Sequence, residues 1–560
     1  MSVRPLSALA AAAAIVAAAG ADAAGPEIPA IGARGTVRTV LAGSLIEELP
    51  VRFVGTLDGA LGPGIDLYLV ELEGPVGESI GIAAGMSGSP VSFEGRLFGA
   101  LSYRLGGLPR RAIGGVTRID QMRAAVLAGP AAGMPEPIAT PLSASRLHPD
   151  VRRWLAEELD GTGLHVVAAG GSGSTVPAAP LEPGSAVGVA LVRGDVDLAA
   201  TGTVTAIDGD VVLAFGHPFL GTGRSEAPMV RAEVVHTLAD LGGSFKIANV
   251  GEEIGAVLDD RLTAIAGYVG RKAAMIPVDV RIGEADGTEQ SVRFEFVRRT
   301  ALAPLLAGVG LANAVLGRVP FEQVGTVIAR GAIELAGPAA DLPVEWAAAG
   351  AGDGASPAVQ LAAGLQRTLD LLYRNPFEEP LIEGIRLEVG TSPSPVSYRV
   401  DAVLFDRRPL RAGRPLRVVC ELTGWRGAAE RREIDLDVPH GIAPGTPLVL
   451  AVGAAGEIER LSGDSLEARL RTAGDFEAFV GALSRAAGPQ RLTAALLRAD
   501  GGVVAEGAVW KELPPSARRL ANSEVLSGPI TRLRASVVSR AEVVLDGPVS
   551  GVRTAKVVVR

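Results

Sequence analysis

Cysteine is almost absent from this sequence: Cys420 is the only one among 560 residues. A disulfide needs two cysteines, so no intramolecular disulfide can form and the fold must be stabilised by packing. Histidine is also scarce, and the five histidines show no spacing typical of a zinc site. We therefore expect no metal, and the sequence indicates no role for Cys420.

Positive charge is not in excess, and aromatic residues are few. The 53 lysines and arginines are outnumbered by 62 aspartates and glutamates, and no basic stripe is visible, which excludes a nucleic-acid partner. The combination of 48% hydrophobic residues, 72 glycines and 4% aromatics is typical of many short β-strands joined by turns. We predict a mainly β protein of several domains, because 560 residues exceed a single core.

Long hydrophobic runs are rare, and the first stands at the N-terminus. It reads "MSVRPLSALAAAAAIVAAAGADAAG", with Arg4 before the apolar run and Ala21-Asp22-Ala23 as a small-residue cleavage site. The run is shorter than a membrane span. Residues 1–24 are therefore predicted to be a signal peptide, and the protein to be exported to the periplasm or the extracellular space.

The second hydrophobic run, "TALAPLLAGVGLANAVLG" (Thr300 to Gly317), contains Pro304, Asn313 and several glycines. These residues favour a buried helix over a transmembrane one. We therefore expect no membrane span in the mature chain.

Strand-like runs and connectors divide the mature chain into six segments. They are a Gly-rich β-domain at 25–130, a helical and Gly/Ser-rich connector at 131–180, a second β-rich unit at 181–335, a linker and helix at 336–378, a β-sandwich module at 379–455, and a small mixed α/β C-terminal domain at 456–560.

The stretch "GIAAGMSGSPVSFEGRLFGALSY" (Gly81 to Tyr103) places Gly-Met-Ser-Gly-Ser-Pro between two strand-like runs. One interpretation is a tight turn. The other is a nucleophilic serine, Ser87, on a turn whose Gly85 and Ser87 N–H groups bind an oxyanion, since a serine nucleophile needs such donors and a base. The nucleophile elbow of α/β-hydrolases is excluded, because it requires glycine at the position of Ser89.

This succession of turn, strand, hairpin and strand resembles the serine-bearing barrel of chymotrypsin-clan peptidases. "GMSGSPVSFEGRLFGAL" is similar to the sporulation factor IV B serine peptidase family of that clan, and "GTVTAIDGDVVLAFGHP" (Gly202 to Pro218) is similar to that family's histidine segment. The resemblance covers about Gly35 to Gly270. It implies that Ser87 is the nucleophile and His217 the general base.

The resemblance also implies a two-barrel chymotrypsin-like core. The segment 25–130 would be the Ser-bearing half and 181–335 the His-bearing half, in an exchanged (permuted) chain order, because in the family the histidine segment precedes the serine segment. A catalytic triad is recognised by geometry rather than by chain order. The enzyme hypothesis predicts that Ser87 Oγ and His217 lie within hydrogen-bond reach.

The acid of such a triad is less clearly indicated. The segment "GIDLYLVEL" resembles the aspartate strand of chymotrypsin-like peptidases, so Asp66 is predicted to be the acid. Glu73 is the second candidate for this role. A carboxylate bonded to backbone N–H groups at a strand end is the alternative for Asp66. The alternative for Ser87 is an ordinary turn residue. The alternative for His217 is a core or turn histidine whose hydrogen bonds are satisfied within the fold.

Three further polar residues lie within the range that the resemblance covers. Ser89 is predicted to be a turn residue rather than the nucleophile. Lys246 in "SFKIANVG" invites a Ser-Lys dyad, but strand alternation predicts that its side chain points outward. His236 in "AEVVHTLADL" is predicted to lie on a helix face.

The expected function is that of an exported serine endopeptidase that cleaves protein or peptide substrates of the cell envelope and needs no cofactor. Self-processing is compatible with the same site. The alternative is a catalytically inactive envelope protein that keeps the fold as a binding scaffold. Substrate preference and oligomeric state are not indicated by the sequence.

Overall fold

The computed structural model describes most of the chain after the first 24 residues. The described residues are 25–106, 111–125, 137–168, 179–221, 223–283, 287–298, 301–318, 325–337, 339, 341–350, 356–406, 408–486, 488–499, 503–505, 508–510, 516 and 530–560. The predicted signal peptide lies outside them. The chain divides into two compact units, one running up to Ile276 and including Phe294–Leu306, the other formed by Pro277–Arg293 and Ala307–Arg560.

The first unit is built mainly from β-strands and has few helices. Its strands are β1 (Arg34–Val40), β2 (Ile46–Gly62), β3 (Ile65–Leu72), β4 (Ser89–Phe93), β5 (Arg96–Arg104), β6 (Ile113–Arg118), β7 (Thr140–Ser145), β8 (Leu164–Ala168), β9 (Ala186–Gly194), β10 (Asp197–Asp208), β11 (Val211–Ala214), β12 (Gly223–Leu238), β13 (Phe245–Arg261) and β14 (Ala264–Val269). Its helices are α1 (Gly74–Ser79), α2 (Ile119–Ala125) and α3 (Pro149–Glu158). Strands β15 (Met275–Gly283) and β16 (Glu289–Val297) and helix α4 (Ala303–Leu316) contain residues of both units.

The first six strands form a closed antiparallel barrel in the order β1-β2-β3-β6-β5-β4. Val37 of β1 pairs with Leu49 of β2 and with Val91 of β4, so β1 closes the barrel. Alternate side chains point inward, and the rings of Phe53 and Phe98 meet edge to face in the interior. The predictions of a mainly β fold and of a barrel are confirmed.

Six later strands of the first unit pair in a second ring. Each is antiparallel to the next in the order β9-β10-β11-β14-β13-β12, and β12 returns to β9 through Met229 and Val189. The sheet extends beyond this ring, because β7 pairs with β10 and β8 lies parallel to β7. We call these six strands the second ring.

The second unit contains three sheets and four strands of a larger, thirteen-stranded sheet. Its strands are β17 (Thr326–Leu335), β18 (Leu342–Ala349), β19 (Ile382–Ser392), β20 (Tyr398–Phe405), β21 (Pro415–Gly424), β22 (Ala429–Asp437), β23 (Pro447–Ala454), β24 (Arg491–Arg498), β25 (Val503–Ala505), β26 (Ala508–Trp510), β27 (Ile530–Arg532), β28 (Ser536–Val544), β29 (Val549–Ser550) and β30 (Val552–Val558). Its helices are α5 (Pro357–Tyr373), α6 (Ala455–Ser462), α7 (Leu466–Arg471) and α8 (Phe476–Ser484). The sheet orders are β18-β17-β19-β15, β22-β21-β20-β29, β28-β24-β23-β30 and β26-β25-β27.

Two four-stranded sheets of this unit share one apolar core. Val418, Cys420 and Leu436 of one sheet pack with Leu450 and Leu496 of the other. Three strands of the first sheet lie within the segment 379–455 that was predicted to be a β-sandwich. The second sheet takes its strands from 447–558, most of which was assigned to the C-terminal mixed domain.

Cys420 is fully buried in that shared core. Burial raises the pKa of its thiol to about 11, since the thiolate would lose its hydration. The thiol is therefore protonated at neutral pH and acts as a small core side chain.

Several local predictions are confirmed. The helices predicted within 131–180 and 336–378 are α3 and α5, the mixed segment 456–560 contains α8, and the second hydrophobic run forms the buried helix α4. No helix in the described part of the chain is long and apolar enough to cross a membrane. The prediction for His236 is wrong: it is exposed on strand β12, where neighbouring β-branched residues favour extended backbone.

Candidate functional site

Ser87 lies on a tight turn between two glycines with left-handed backbone. The φ angles are +89° at Gly85 and +93° at Gly88, a region that side chains disfavour. A Cβ atom at Gly88 would lie 2.0 Å from the carbonyl oxygen of Thr203 and 2.5 Å from the nitrogen of Phe215. Glycine at 88 is therefore required both by the turn and by the close approach of the second ring. We call residues 85–89 the serine turn.

Strand β10 holds the serine turn by donating hydrogen bonds to the carbonyl groups of the turn. The hydroxyl of Thr203 donates to the carbonyl of Gly85 at 3.0 Å, and that of Thr205 donates to the carbonyl of Gly88 at 2.7 Å. The N–H of Thr203 donates to the carbonyl of Ser87 at 2.9 Å. Three of the five carbonyl groups of the turn are thus fixed by one strand of the second ring.

The N–H groups of the serine turn fall into two sets. Those of residues 86, 88 and 89 donate to backbone carbonyl groups at 2.8 to 3.0 Å. Those of Gly85 and Ser87 have no hydrogen-bond acceptor among the described residues. Both residues are buried, and buried backbone N–H groups are nearly always paired. The two predicted oxyanion donors are therefore the two that are left unoccupied.

The side chain of Ser87 is also without a partner. Its residue is 0% exposed, and Oγ makes no hydrogen bond to any described residue. Ser89, by contrast, lies 2.6 Å from the carbonyl oxygen of Met86 and 3.0 Å from Thr39 Oγ1. Ser89 is the first residue of β4, and its hydroxyl is hydrogen-bonded, unlike that of Ser87.

His217 is buried on a second turn, with an exposed fraction of 2%. We call residues 215–218 the histidine turn. Its Nδ1 lies 2.6 Å from the carbonyl oxygen of Pro218. A carbonyl only accepts, so Nδ1 carries the proton and Nε2 has the free lone pair. Nε2 has no hydrogen-bond partner among the described residues. Burial lowers the pKa of His217 to about 4, so the imidazole is neutral at pH 7.

The two turns meet the same elements of the first unit. Thr203, which binds Ser87, accepts the N–H of Phe215 at 3.3 Å, two residues before His217. The hydroxyl of Thr117 on β6 donates to the carbonyl of Gly216 at 2.8 Å and ties the histidine turn to the barrel. The structure therefore brings both turns to the interior between barrel and second ring. The expected hydrogen bond between Ser87 Oγ and His217 Nε2 is not formed.

Aromatic rings enclose the imidazole of His217. Its ring centroid lies 5.9 Å from that of Phe215 and 6.4 Å from that of Tyr103. The hydroxyl of Tyr103 is buried without a partner among the described residues, and burial raises the pKa of this phenol. Sequence reasoning missed Tyr103, because a tyrosine within an apolar strand gives no signal beyond packing.

The carboxylates predicted as the acid bind elsewhere. Asp66 accepts the N–H of Gly59 at 2.8 Å and the hydroxyl of Tyr68 at 3.4 Å, which is the strand-end alternative. Glu73 accepts from Nε of Arg52 at 2.8 Å. Neither carboxylate hydrogen-bonds the imidazole, whose Nδ1 is occupied by a backbone carbonyl.

A different carboxylate holds the chain directly after the histidine. Asp260 of β13 has an exposed fraction of 2%, and its two oxygens accept the N–H groups of Phe219 and Leu220 at 2.7 Å each. Asp260 thereby fixes the segment whose Pro218 carbonyl orients the imidazole. It acts on His217 through backbone groups, which no residue pattern reveals.

Replacing Asp260 with alanine is expected to lower the free energy of unfolding by about 3 kcal/mol, because two N–H groups lose a charged acceptor. Urea unfolding measures the loss, and amide hydrogen exchange should accelerate at residues 219 and 220. Asp260→Asn keeps one acceptor oxygen and should lose less. Asp58→Ala, at an exposed position, is the control. Equal effects of Asp58→Ala and Asp260→Ala would contradict this role.

The prediction for Lys246 is wrong: its side chain is fully buried instead of pointing outward. Its amine donates to the hydroxyl oxygens of Thr39 at 2.8 Å and of Thr203 at 3.3 Å. Burial lowers the pKa of Lys246 to about 7. The alternation of β13 was correctly predicted but with the wrong face inward.

A cavity of about 910 Å³ lies beside the segment that leads into the serine turn. Residues 80–82 and Ser244 line it, together with the charged side chains of Glu71, Glu73, Glu78, Asp240, Arg104 and Arg111. Neither Ser87 nor His217 lines it. Across the described ranges no group of three or more histidine, cysteine or acidic side chains is placed to bind a metal ion.

Comparison with known proteins found no match: no family model matches the chain, no curated protein matches it, and no solved structure matches it. The resemblance to the sporulation factor IV B peptidases therefore rests on the residues quoted above.

Proposed function

We propose that the protein is an exported serine endopeptidase in which Ser87 is the nucleophile and His217 the general base. The observation that carries this proposal is a set of four unpaired buried groups: the N–H groups of Gly85 and Ser87, Ser87 Oγ and His217 Nε2. An unpaired buried polar group destabilises a fold and therefore calls for an explanation, of which a catalytic role is one. These four are the donors, nucleophile and base that acyl transfer requires.

In this mechanism Ser87 Oγ attacks the carbonyl carbon of the scissile peptide bond, and Nε2 of His217 takes the hydroxyl proton. The developing oxyanion accepts hydrogen bonds from the N–H groups of Gly85 and Ser87. The imidazolium gives its proton to the amine nitrogen as the C–N bond breaks, and the amine product leaves. Water, deprotonated by His217, then attacks the ester carbonyl and displaces Ser87 Oγ, which regains a proton. The carbonyl of Pro218 keeps the proton on Nδ1, in the position where a carboxylate acts in other triads.

The architecture of the first unit supports the same proposal. A closed barrel carries the serine turn, and a second ring of six antiparallel strands carries His217, as in a two-barrel chymotrypsin-like core of exchanged chain order. Protein or peptide substrates of the envelope follow from this reaction and from the predicted signal peptide. The mechanism uses no cofactor.

Both reactive side chains are buried, so catalysis requires an opening of the site. Ser87 and His217 have exposed fractions of 0% and 2%, and the rings of Tyr103 and Phe215 flank the imidazole. In this proposal the structure is the closed form, and substrate entry brings Oγ within reach of Nε2. Self-processing is compatible with the same site.

The same burial favours a second candidate function, a catalytically inactive envelope scaffold. In that case the serine turn and the histidine turn are retained as parts of the interface between the barrel and the second ring. Among the described residues the imidazole is hydrogen-bonded to a backbone carbonyl and to no carboxylate, which favours this alternative as well.

Labelling by a fluorophosphonate probe distinguishes the two functions. We expect labelling of the protein from Gly25 onward, none of Ser87→Ala, and labelling slowed about 10³-fold in His217→Ala, which lacks the base. Ser92→Ala, five residues along the same segment, is the matched control and should label normally. If the folded native protein remains unlabelled at all pH values and temperatures below unfolding, the scaffold function is supported and the peptidase proposal fails.

A further inference from the structure

Lys246 lies against the first residue of the serine turn. The N–H of Lys246 donates to the carbonyl of Ala84 at 3.0 Å, and the N–H of Ala84 donates to the carbonyl of Ser244 at 2.7 Å. A Cβ atom built on Gly85 would lie 3.1 Å from Cδ of Lys246. The aliphatic part of the Lys246 side chain therefore packs directly beside Gly85, and its amine lies next to the hydroxyl groups of Thr39 and Thr203.

The amine contacts both ends of the turn through two threonines. The hydroxyl of Thr203 donates to Gly85, so it accepts from the lysine. The single proton of Ser89 goes to the carbonyl of Met86, which can only accept. The hydroxyl of Thr39 then donates to Ser89 and also accepts from the lysine.

Counting donors distinguishes the two protonation states of Lys246. An uncharged amine has two N–H groups, and the hydroxyl oxygens of Thr39 and Thr203 accept both. A charged ammonium has a third N–H, for which no acceptor is present among the described residues, and an unpaired buried donor is unfavourable.

No charged group among the described residues compensates for a proton on Lys246. Within the described part of the chain, no titratable or charged side chain faces the amine from β1, β7, β10, β12 or the serine turn, and burial alone lowers its pKa to about 7. Protonation below that pH would therefore place an uncompensated charge and an unpaired N–H beside the serine turn, which disfavours its present packing.

We propose that Lys246 is a positioning residue that, as an uncharged amine, holds both ends of the serine turn and so aligns the oxyanion donors of Gly85 and Ser87. This inference rests on the proposed function. The two N–H groups of the uncharged amine are both taken by the threonine hydroxyls, and Lys246 acts on the turn through these two contacts.

The test is the rate of fluorophosphonate labelling between about pH 5 and pH 9. In the native protein we expect the rate to follow the uncharged fraction of Lys246, which for a pKa of about 7 falls about 50-fold between pH 7 and pH 5. Lys246→Met and Lys246→Gln should label at a rate independent of pH down to the region where His217 is protonated. Lys246→Gln keeps two N–H donors and should be the faster of the two at pH 8.5. Lys272→Met, at an exposed lysine, should keep the native profile.

A native profile in both Lys246 variants would overturn the proposal, as would a native protein whose rate does not fall between pH 7 and pH 5. Failure of the proposed function is a distinct result, in which no variant is labelled at any pH. Amide hydrogen exchange of the serine turn then decides. After correction for intrinsic rates, exchange at residues 85–89 should accelerate below pH 7 in the native protein and Lys272→Met but not in Lys246→Gln, and equal exchange in all three would overturn the proposal.

Discussion

A Gly88→Ala variant is expected to lose about 4 kcal/mol of unfolding free energy, measured by urea unfolding followed by circular dichroism. Two effects combine. The backbone at Gly88 has a φ of +93°, which disfavours any side chain, and the new Cβ would lie 2.0 Å from the carbonyl oxygen of Thr203. The carbonyl oxygen is a backbone atom and Cβ is bonded directly to the backbone, so no change of side-chain rotamer relieves the clash. Either the serine turn or β10 must move, so fluorophosphonate labelling should be lost as well.

Gly209→Ala is the matched control for this prediction. Gly209 has a φ of +63°, but a Cβ atom there would meet no other atom within 4 Å. Its replacement carries the backbone strain without the clash and is expected to cost about 1 kcal/mol. If the two variants were equally destabilised, the close approach of β10 to the serine turn would be contradicted.

Stability is expected to rise by about 4 kcal/mol between pH 7 and pH 10.5 through Lys246 alone. In the unfolded chain lysine keeps its proton up to its ordinary pKa of 10.5, whereas the folded protein releases it above about 7. Across this interval the unfolded state binds more protons, so raising the pH favours the folded state. Below pH 7 both states carry the proton, and Lys246 adds no further pH dependence.

The measurement compares the slope of unfolding free energy against pH in the native protein, Lys246→Met and Lys272→Met. Other titrating groups contribute equally to all three, and the packing change at Lys246 shifts the curve without altering its slope. The native protein and Lys272→Met should share the rise, and Lys246→Met should lack it. A rise in Lys246→Met would show that the amine is charged in the folded state at neutral pH.

Much of the fold and part of the site follow from local sequence. Glycines at 85 and 88 around Ser87 predicted a turn because few other residues adopt a positive φ, and the structure has both in that conformation. Helices α4 and α5 followed from apolar spacing and length. These features depend on residues close together in the chain, where propensity is informative.

The orientation of Lys246 did not follow from its strand. In "FKIANV" the apolar residues Phe245 and Ile247 suggested one inward face, but Ala248 and Val250 share the phase of Lys246 and are also apolar. The structure buries Lys246, Ala248 and Val250 and leaves Phe245 and Ile247 partly exposed. Alternation gives a period, and only the elements packed on each face decide which phase is buried.

The partner of His217 was unpredictable for a different reason. A search for an acid considers side chains, whereas Nδ1 is held by the backbone carbonyl of Pro218, which any residue offers. Asp260, which fixes that segment, lies about 40 positions away and also acts on backbone groups. Contacts to the main chain leave no complementary residue type for a sequence pattern to reveal.

The burial of the single thiol makes Cys420 a natural reporter of opening in the second unit. A thiol reagent can modify this protein at one position only, and that position is closed while the two sheets share their core. The rate of modification therefore measures how often this core opens, without any engineered label. A cysteine introduced on the surface of the first unit would react by itself under native conditions, so each unit can be followed separately in one chain.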